Sequence, residues 1–265
     1  MSQQRGTIVM IHGMWVGSDC WKRYKHLFEE RDYECLTPTL RYHDIDPSSE
    51  PPEDLGTYSL LEYAHDLEKY VRSLDTRPIL VGHSMGGLLA QILAARGLSD
   101  QVVLLAPAPP SSVNGARWSV IRSLIGIFAR WGFWKRPNRI SFKKAEYAFL
   151  HNLPAEERKE AYATLVYESG RALAEISAPF LDRQHASQVD ESKVSYPVLV
   201  VGGSLDRITP ASVARSVAKK YGAVSTYKEF EGHSHWILAE DGWEDVADYV
   251  AEWLEATGPS GAQTP

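Results

Sequence analysis

Three kinds of side chain in this sequence have the chemistry and the chain order needed for nucleophilic catalysis. Ser84 lies in the stretch GHSMG, Asp206 follows it, and two histidines, His233 and His235, come last. A serine hydroxyl becomes a good nucleophile when a histidine removes its proton and a carboxylate orients that histidine. The sequence therefore predicts acyl transfer to Ser84, with Asp206 as the orienting acid and one of the two histidines as the base.

The residues around Ser84 predict a sharp turn from a strand into a helix. The apolar run 78–81 precedes this turn, and the small and aliphatic residues 87–96 follow it. Gly82 and Gly86 leave room for neighbouring backbone, so the serine can occupy the tip of the turn with its oxygen exposed. The order Ser, Asp, His is the one associated with such a turn.

Acyl transfer also needs hydrogen-bond donors for the negative oxygen of the tetrahedral intermediate. The apolar run 7–11 ends in a glycine-containing loop, His12-Gly13-Met14-Trp15. We expect the backbone N–H of Met14 in this loop and that of Met85 at the start of the helix to form the oxyanion hole. His12 is predicted to hold its loop by hydrogen bonds.

Metal chemistry has weaker support in the sequence. His233 and His235 have the spacing of two zinc ligands, but no third ligand accompanies them at a suitable distance along the chain. The loop 40–56 contains His43 and is rich in Asp, Ser and Pro, which is typical of a solvated surface loop. We therefore expect no metal and no cofactor.

Six apolar runs predict the strands that position these residues, and helical segments separate them. This alternation predicts an α/β fold, with a mostly parallel sheet of about six strands and helices on both faces. The runs are 7–11, 33–38, 78–81, 101–106, 196–203 and 224–230. Ser84, Asp206 and the two histidines each follow a different run, so the carboxyl ends of the strands bring them to one edge of the sheet.

The alternation stops between residues 111 and 193, where we predict helices, one of them over 154–174, and no strand. We interpret 111–193 as an inserted helical cap, 1–110 and 194–257 as the core, and 258–265 as a disordered tail. The beginning of the cap is aromatic and basic, with no acidic residue between Asp100 and Glu146. Such a stretch packs on the core, lines an apolar pocket or lies on an anionic membrane. We expect packing and a pocket and no membrane contact, with substrate touching Trp15, His83, Trp118, Phe128 and Trp236.

Composition narrows the classes of protein. The chain has 265 residues, a net charge of −6 and a hydrophobic fraction of 44%, which suits one large soluble α/β domain and argues against nucleic-acid binding. No apolar run is long enough to span a bilayer, and the N-terminal residues do not read as a signal peptide. Cys20 and Cys35 are too far apart for a C-x-x-C pair. We expect reduced thiols in a cytoplasmic protein, a monomer or homodimer acting on a small molecule.

Nearly the whole chain resembles the α/β-hydrolase superfamily. Residues 12–15 are similar to its oxyanion loop, 82–86 to its nucleophile elbow and 203–210 to its acid loop, and the cap lies where that family inserts lids. One departure is that little chain precedes the first run, so the first two strands of the family are missing. Six parallel strands remain, and the site is kept.

The resemblance implies a base just after the last strand. His233 follows a glycine, as in some relatives, but His235 precedes Trp236 and the last helix, as in bacterial relatives, so we favour His235 and keep His233 as the alternative. The implied activity is hydrolysis of carboxylic esters of small to medium, partly apolar substrates. A C–C bond hydrolase, lactonase or thioesterase is an alternative on the same fold, as is a small-molecule-binding module without catalysis.

Overall fold

A sheet of six parallel strands forms the centre of the computed structural model, which describes residues 5–258. The predicted disordered tail lies outside these residues except for Gly258. The strands of the chain are β1 (Gly6–Ile11), β2 (Tyr33–Leu36), β3 (Ile79–His83), β4 (Val102–Leu105), β5 (Pro137–Asn138), β6 (Glu168–Ser169), β7 (Val198–Gly203) and β8 (Ser225–Phe230). The large sheet has the order β2-β1-β3-β4-β7-β8, with every neighbouring pair parallel. The predicted α/β fold with about six strands is confirmed.

Helices cover both faces of this sheet, and further helices lie between β4 and β7. They are α1 (Lys22–Glu29), α2 (Leu60–Arg72), α3 (Met85–Ala95), α4 (Trp118–Phe128), α5 (Phe142–Ala145), α6 (Ala155–Ala163), α7 (Gly170–Ser177), α8 (Ala211–Tyr221) and α9 (Trp243–Thr257). Short 3-10 helices span Ser18–Trp21, Glu53–Thr57, Phe133–Lys135, Pro179–Leu181, Glu191–Lys193 and Gly222–Val224, and a π-helical turn spans Glu146–Leu150. Buried residues of α2, α3 and α8 form one core cluster, and those of α1 and α9 form another.

The strands are apolar along their whole length because both of their faces are covered. In β1, Val9 and Ile11 belong to the cluster of α2, α3 and α8, whereas Ile8 and Met10 belong to the cluster of α1 and α9. Successive side chains of a strand point to opposite faces, so a central parallel strand needs apolar residues at every position. This pattern is why the sheet could be predicted from short apolar runs.

Helix α3 lies against the sheet so closely that two positions accept no side chain. A β-carbon on Gly86 would lie 2.1 Å from the carbonyl oxygen of Ile11, and one on Gly82 would lie 2.3 Å from that of Gly86. Both neighbours are backbone atoms, which cannot rotate away. The two glycines around Ser84 therefore set the distance between α3 and the strands beside it.

The segment between β4 and β7 differs in two ways from what its sequence predicted. Its strands β5 and β6 form a small antiparallel pair, and the single helix expected over 154–174 is divided into α6 and α7. The chain between these helices is extended, with the N–H of Val166 donating to the carbonyl of Trp15 at 2.8 Å. Two-residue strands are too short to produce a visible alternation of apolar residues, so this contact with the loop after β1 left no signal.

Two further observations concern the whole described chain. Cys20 and Cys35 are both free thiols, and burial raises the pKa of Cys35 to about 12, which makes it a poor nucleophile. Within residues 5–258, no helix has both the length and the apolar composition needed to cross a bilayer.

The contact at Gly86 can be tested with a matched pair of glycine substitutions. We expect Gly86→Ala to lower the free energy of unfolding by about 3 kcal/mol, because its methyl group overlaps backbone that must move. Gly126→Ala is the control: Gly126 is an exposed position of α4 with no atom near its added methyl, and alanine there is expected to add up to about 1 kcal/mol of stability. Urea unfolding followed by circular dichroism measures both, and equal midpoints for Gly86→Ala and the parent protein would contradict this account.

Candidate active site

Ser84 has a backbone conformation that few residues other than glycine adopt. It lies between β3 and α3 with φ 55° and ψ −121°. Its N–H donates to the carbonyl of Leu105 at 3.1 Å, and its own carbonyl accepts from Gly87 at 2.9 Å and from Ala108 at 2.8 Å. Hydrogen bonds on both sides of the residue hold the strained conformation, which is a common feature of functional positions.

The side chains of Ser84 and His235 line the same cavity, which has a volume of about 270 Å³. Most of its walls are apolar, and more than half of its lining residues come from the segment 111–193. The apolar residues lining it include Val120, Ile121, Leu124, Phe128, Phe149, Leu173, Ile176, Phe180, Ile208 and Val213. A substrate in this cavity would meet a hydroxyl and an imidazole within a largely apolar enclosure.

Asp206 orients His235 from the loop after β7. Its Oδ2 accepts a hydrogen bond from Nδ1 of His235 at 2.7 Å, and its Oδ1 accepts from the backbone N–H groups of Ile208 and Thr209, both at 2.8 Å. An aspartate after a strand can cap a turn or orient a histidine. The structure assigns one carboxylate oxygen to each task.

The protonation of this pair follows from its surroundings. Burial raises the pKa of Asp206, but the charge and hydrogen bond of His235 and the backbone N–H donors outweigh it, so the pKa is lowered. Asp206 is therefore an ionised carboxylate. Nδ1 of His235 carries the hydrogen of the bond that Asp206 accepts. The other ring nitrogen, Nε2, is left to accept a proton from a hydroxyl in the cavity.

Thr209 completes this arrangement, and sequence analysis gave it no role. Its hydroxyl lies 2.8 Å from Oδ2 of Asp206, 3.0 Å from Nδ1 of His235 and 2.9 Å from the carbonyl of Ala106. Ala106 follows β4 and His235 follows β8, so these neighbours come from distant parts of the chain. No local pattern points to this contact.

His233 also has a carboxylate partner, but it is not among the residues that line the cavity of Ser84. Its Nδ1 lies 3.1 Å from Oε1 of Glu240. Glu240 accepts further bonds from the hydroxyl of Ser234 at 2.6 Å and from the amide of Asn152 at 3.0 Å. His233 and Glu240 thus anchor the turn after β8, whereas His235 faces the cavity.

Two other buried histidines support the site without facing bulk solvent. Nε2–H of His83 donates to the carbonyl of His235 at 2.9 Å, and Nδ1–H of His12 donates to the carbonyl of Gly13 at 2.9 Å. Nε2 of His12 accepts from the N–H of Leu40 at 3.0 Å. Burial lowers the pKa of both His12 and His83 to about 3, so both are neutral. The prediction that His12 holds its loop is confirmed.

Met14 and Met85 both line the cavity beside Ser84. Met85 is the first residue of α3, where a backbone N–H has no partner inside the helix. The N–H of Met14 has no hydrogen-bond acceptor among residues 5–258. The preceding Gly13 lies so close that a β-carbon there would be 2.8 Å from Cβ of Ser84. This arrangement can hold a negatively charged oxygen next to the serine.

Four of the five residues expected to contact substrate line the cavity: Trp15, His83, Phe128 and Trp236. The expectation for Trp118 is wrong, because its side chain is 76% exposed and lies outside the cavity lining. Val120 does line the cavity, and two residues correspond to about 200° of rotation around a helix, so Trp118 points away from it.

Phe149 is a cavity residue that the sequence did not reveal. Its ring stacks against that of Trp236 at 5.7 Å and that of Trp15 at 6.4 Å between centroids. Phe149 lies in the π-helical turn, where the usual spacing of apolar residues is interrupted. The three rings form a continuous aromatic wall made by the loop after β1, the cap and the turn after β8.

A buried polar network joins the cap to the loop after β1. Glu168 of β6 accepts from Nε2 of His43 at 3.1 Å and from the hydroxyl of Tyr63 at 3.0 Å. Its carbonyl accepts from the amide of Asn138 at 3.2 Å, and the oxygen of that amide accepts from the indole of Trp15 at 3.1 Å. His43 is therefore buried, although its polar loop predicted a solvated position.

This network contains a buried pair of an imidazole and a carboxyl group, His43 and Glu168. Burial lowers the pKa of His43, but the charge and hydrogen bond of Glu168 and the carbonyls of Arg41 and Leu40 outweigh it, so the pKa is raised. His43 and Glu168 both have fully buried side chains.

Among residues 5–258, no group of three potential metal-ligating side chains is found, either here or near His235.

Comparison with known proteins agrees with the fold. The model of the alpha/beta hydrolase family matches residues 8–249. The crystal structure of a methylesterase from Arabidopsis superposes with a TM-score of 0.70 at 14% identity, over 94% of this chain and 99% of the other. At that identity, the likeness shows the fold alone.

Two curated relatives have detectable sequence similarity. A non-heme chloroperoxidase from Streptomyces lividans is 23% identical over 256 residues, which cover 88% of this chain and 86% of the relative. Methylesterase 17 from Arabidopsis thaliana is 38% identical over 82 residues, which cover 30% of this chain and only 28% of the relative.

The pair of His43 and Glu168 predicts how the free energy of unfolding depends on pH. Folding raises the pKa of His43, so protonation of this side chain stabilises the folded protein. This contribution to the free energy of unfolding is fully present below the pKa of the unfolded state, about 6.5. It is lost as the pH rises through the pKa of His43 in the folded state. His43→Gln keeps a hydrogen-bond donor but cannot titrate. The free energy of unfolding of the parent protein should exceed that of His43→Gln most below about pH 6.5, and the difference should shrink at higher pH. Urea titrations at several pH values measure it, with the exposed His65→Gln as a baseline; a constant difference for His43→Gln would contradict it.

Proposed function

Because this chain belongs to the alpha/beta hydrolase family, we propose that it is a serine hydrolase in which Ser84, His235 and Asp206 form the catalytic triad. One observation carries the proposal: His235 lines the cavity of Ser84 while its Nδ1 donates to the Asp206 carboxylate at 2.7 Å. The alternative base, His233, has a carboxylate partner as well but is not part of that cavity lining.

The mechanism has two acyl-transfer steps. Nε2 of His235 takes the hydroxyl proton of Ser84 as Oγ attacks the carbonyl carbon, and Asp206 stabilises the imidazolium that forms. The backbone N–H groups of Met14 and Met85 stabilise the oxyanion, each contributing on the order of 3 kcal/mol. The tetrahedral intermediate collapses, the leaving alcohol takes the proton from His235, and water then hydrolyses the acyl-enzyme by the same route. No cofactor enters this sequence.

The cavity supports esters of small to medium, partly apolar acids or alcohols as substrates. Its volume of about 270 Å³ is modest, and its walls are largely apolar, with the aromatic residues Trp15, Phe149 and Trp236 on one side. Both the methylesterase relative and the methylesterase structure are esterases by name. We propose that the substrate is a carboxylic ester and that the protein acts in the cytoplasm.

The same three residues could act on other bonds, so a C–C bond hydrolase, a lactonase or a thioesterase is the second candidate. The chloroperoxidase relative illustrates how widely activities can differ between similar chains. Product analysis with matched ester, lactone, thioester and β-diketone substrates would separate these classes. A small-molecule-binding protein without turnover is the third candidate, and covalent labelling of Ser84 together with turnover measurements distinguishes it from an enzyme.

Covalent labelling tests whether the triad is assembled. A fluorophosphonate should modify the parent protein once, at Ser84, and Ser84→Ala should not react. Asp206→Asn should lower kcat for an activated ester by roughly 10⁴-fold, because His235 would lose its preferred tautomer. Intact and peptide mass spectrometry with steady-state kinetics provide the measurements. A parent protein that binds small apolar esters but is neither labelled nor active would favour the binding-protein alternative.

A second comparison identifies the base. His235→Ala should abolish both labelling and turnover, whereas the matched variant His233→Ala should keep labelling at Ser84 and lose mainly stability, since His233 anchors a turn through Glu240. Rates and thermal midpoints of the two variants distinguish the two effects. If labelling disappears in His233→Ala while that protein remains folded and His235→Ala still reacts, the assignment of the base is wrong and the hydrolase proposal stands.

A further inference from the structure

Helix α4 is apolar around much of its circumference, and only part of this apolar surface is covered. Leu124 and Ile127 are buried, and Val120 and Phe128 line the cavity. The neighbouring side exposes Trp118, Ile121 and Ile125, at 76%, 42% and 50% of their surfaces. Positions three, four and seven apart lie on the same side of a helix, so these three side chains form one exposed apolar stripe.

Further large apolar side chains are exposed in the same segment of the chain. Trp131, just after α4, is 87% exposed, and Phe180 and Leu181, in the 3-10 helix after α7, are 84% and 74% exposed. We call Trp118, Ile121, Ile125, Trp131, Phe180 and Leu181 together the outer cap face. Ile121 and Phe180 also line the cavity of Ser84, so this face is continuous with the walls of the candidate active site. Apolar side chains gathered in this way usually mark an interaction surface.

The stretch of chain that contains α4 carries charges of one sign. Residues 101–145 contain no Asp or Glu but several cations, and in the described part of the chain none of these cations forms an ion pair. They are Arg117, Arg122, Arg130, Lys135, Arg136, Arg139, Lys143 and Lys144. Arg122 and Arg130 are exposed next to the stripe. These unpaired cations stand out because the protein as a whole has a net charge of −6.

We propose that the outer cap face binds the surface of an anionic lipid bilayer, with the mouth of the cavity turned toward the lipid. The apolar side chains enter the interface while the arginines contact lipid phosphates, as in basic amphipathic helices. Outside this stretch the chain has an excess of Asp and Glu over Lys and Arg, which disfavours binding to anionic lipid through the protein as a whole. From the sequence we expected the aromatic stretch to serve packing and a pocket and to make no membrane contact. In the structure, part of this stretch packs inside the protein and part of it is exposed. The exposed part is the basis of this proposal, which revises that expectation.

A second copy of the chain is a poorer occupant for the same face. A two-fold interface brings the same patch of two chains together, so the cations of one copy would approach the cations of the other. Like charges brought together in this way repel. A bilayer of anionic lipid instead provides the opposite charge across a broad, apolar surface. Charge complementarity therefore favours lipid over self-association.

Vesicle co-sedimentation with the full chain tests the proposal. Vesicles of phosphatidylcholine mixed with phosphatidylglycerol should pellet the protein, and vesicles of phosphatidylcholine alone should pellet much less. The double variant Trp118→Ser, Trp131→Ser and the double variant Arg122→Glu, Arg130→Glu should each weaken binding by at least about tenfold. All four side chains are exposed, so circular dichroism should show that both variants remain folded.

Two matched variants separate this proposal from others. Lys219→Glu with Lys220→Glu, at exposed positions of α8, changes the net charge as much as the arginine variant does but should leave binding unchanged. Ser84→Ala should bind vesicles like the parent protein, so vesicle binding does not depend on whether the proposed triad is correct. Equal binding to neutral and anionic vesicles, or none to either, would overturn the proposal. A dimer in sedimentation velocity that the tryptophan variant abolishes would assign the face to a second copy instead.

Discussion

The close packing of backbone around Ser84 is the constraint on which the rest of the site depends. Gly82 and Gly86 let β3, α3 and the end of β1 approach within distances that exclude any side chain. Ser84 is held between them with a positive φ, bonded to Leu105 on one side and Ala108 on the other. A strained residue persists only where its surroundings determine it from several directions. The position of the serine is therefore a property of the sheet and of α3 together.

Three buried carboxylates hold the other polar groups around Ser84 in place. Asp206, Glu240 and Glu168 are each buried, and each accepts several hydrogen bonds from groups that come from different parts of the chain. A buried carboxylate without such partners would cost several kcal/mol. Each one therefore requires that its partners be in place, which joins the turn after β8, the cap and the loop after β1 into one unit.

The segment 111–193, which we interpret as a cap, contacts the loop beside Ser84 as well as lining the cavity. Its residues Asn138 and Val166 bond to Trp15, which directly follows Met14 in the loop beside Ser84. Its helix α4 contributes one apolar face to the cavity and leaves the other outside. The same segment thus lines the interior of the site and also forms part of the protein surface. The two sides of α4 differ because only one of them packs against other residues of the protein.

The sequence by itself determined the sheet, the turn at Ser84 and the positions of the polar residues after the strands. These features follow from local rules: apolar runs form buried strands, and glycines permit a close turn. The tertiary structure alone decided that His235, not His233, shares the cavity with Ser84, that Trp118 points outward, and that His43 is buried against Glu168. These outcomes depend on which distant segments pack together, as His43 and Glu168 do across 125 positions of the chain. No local pattern records such meetings, because burial and charge pairing arise only when distant segments pack together.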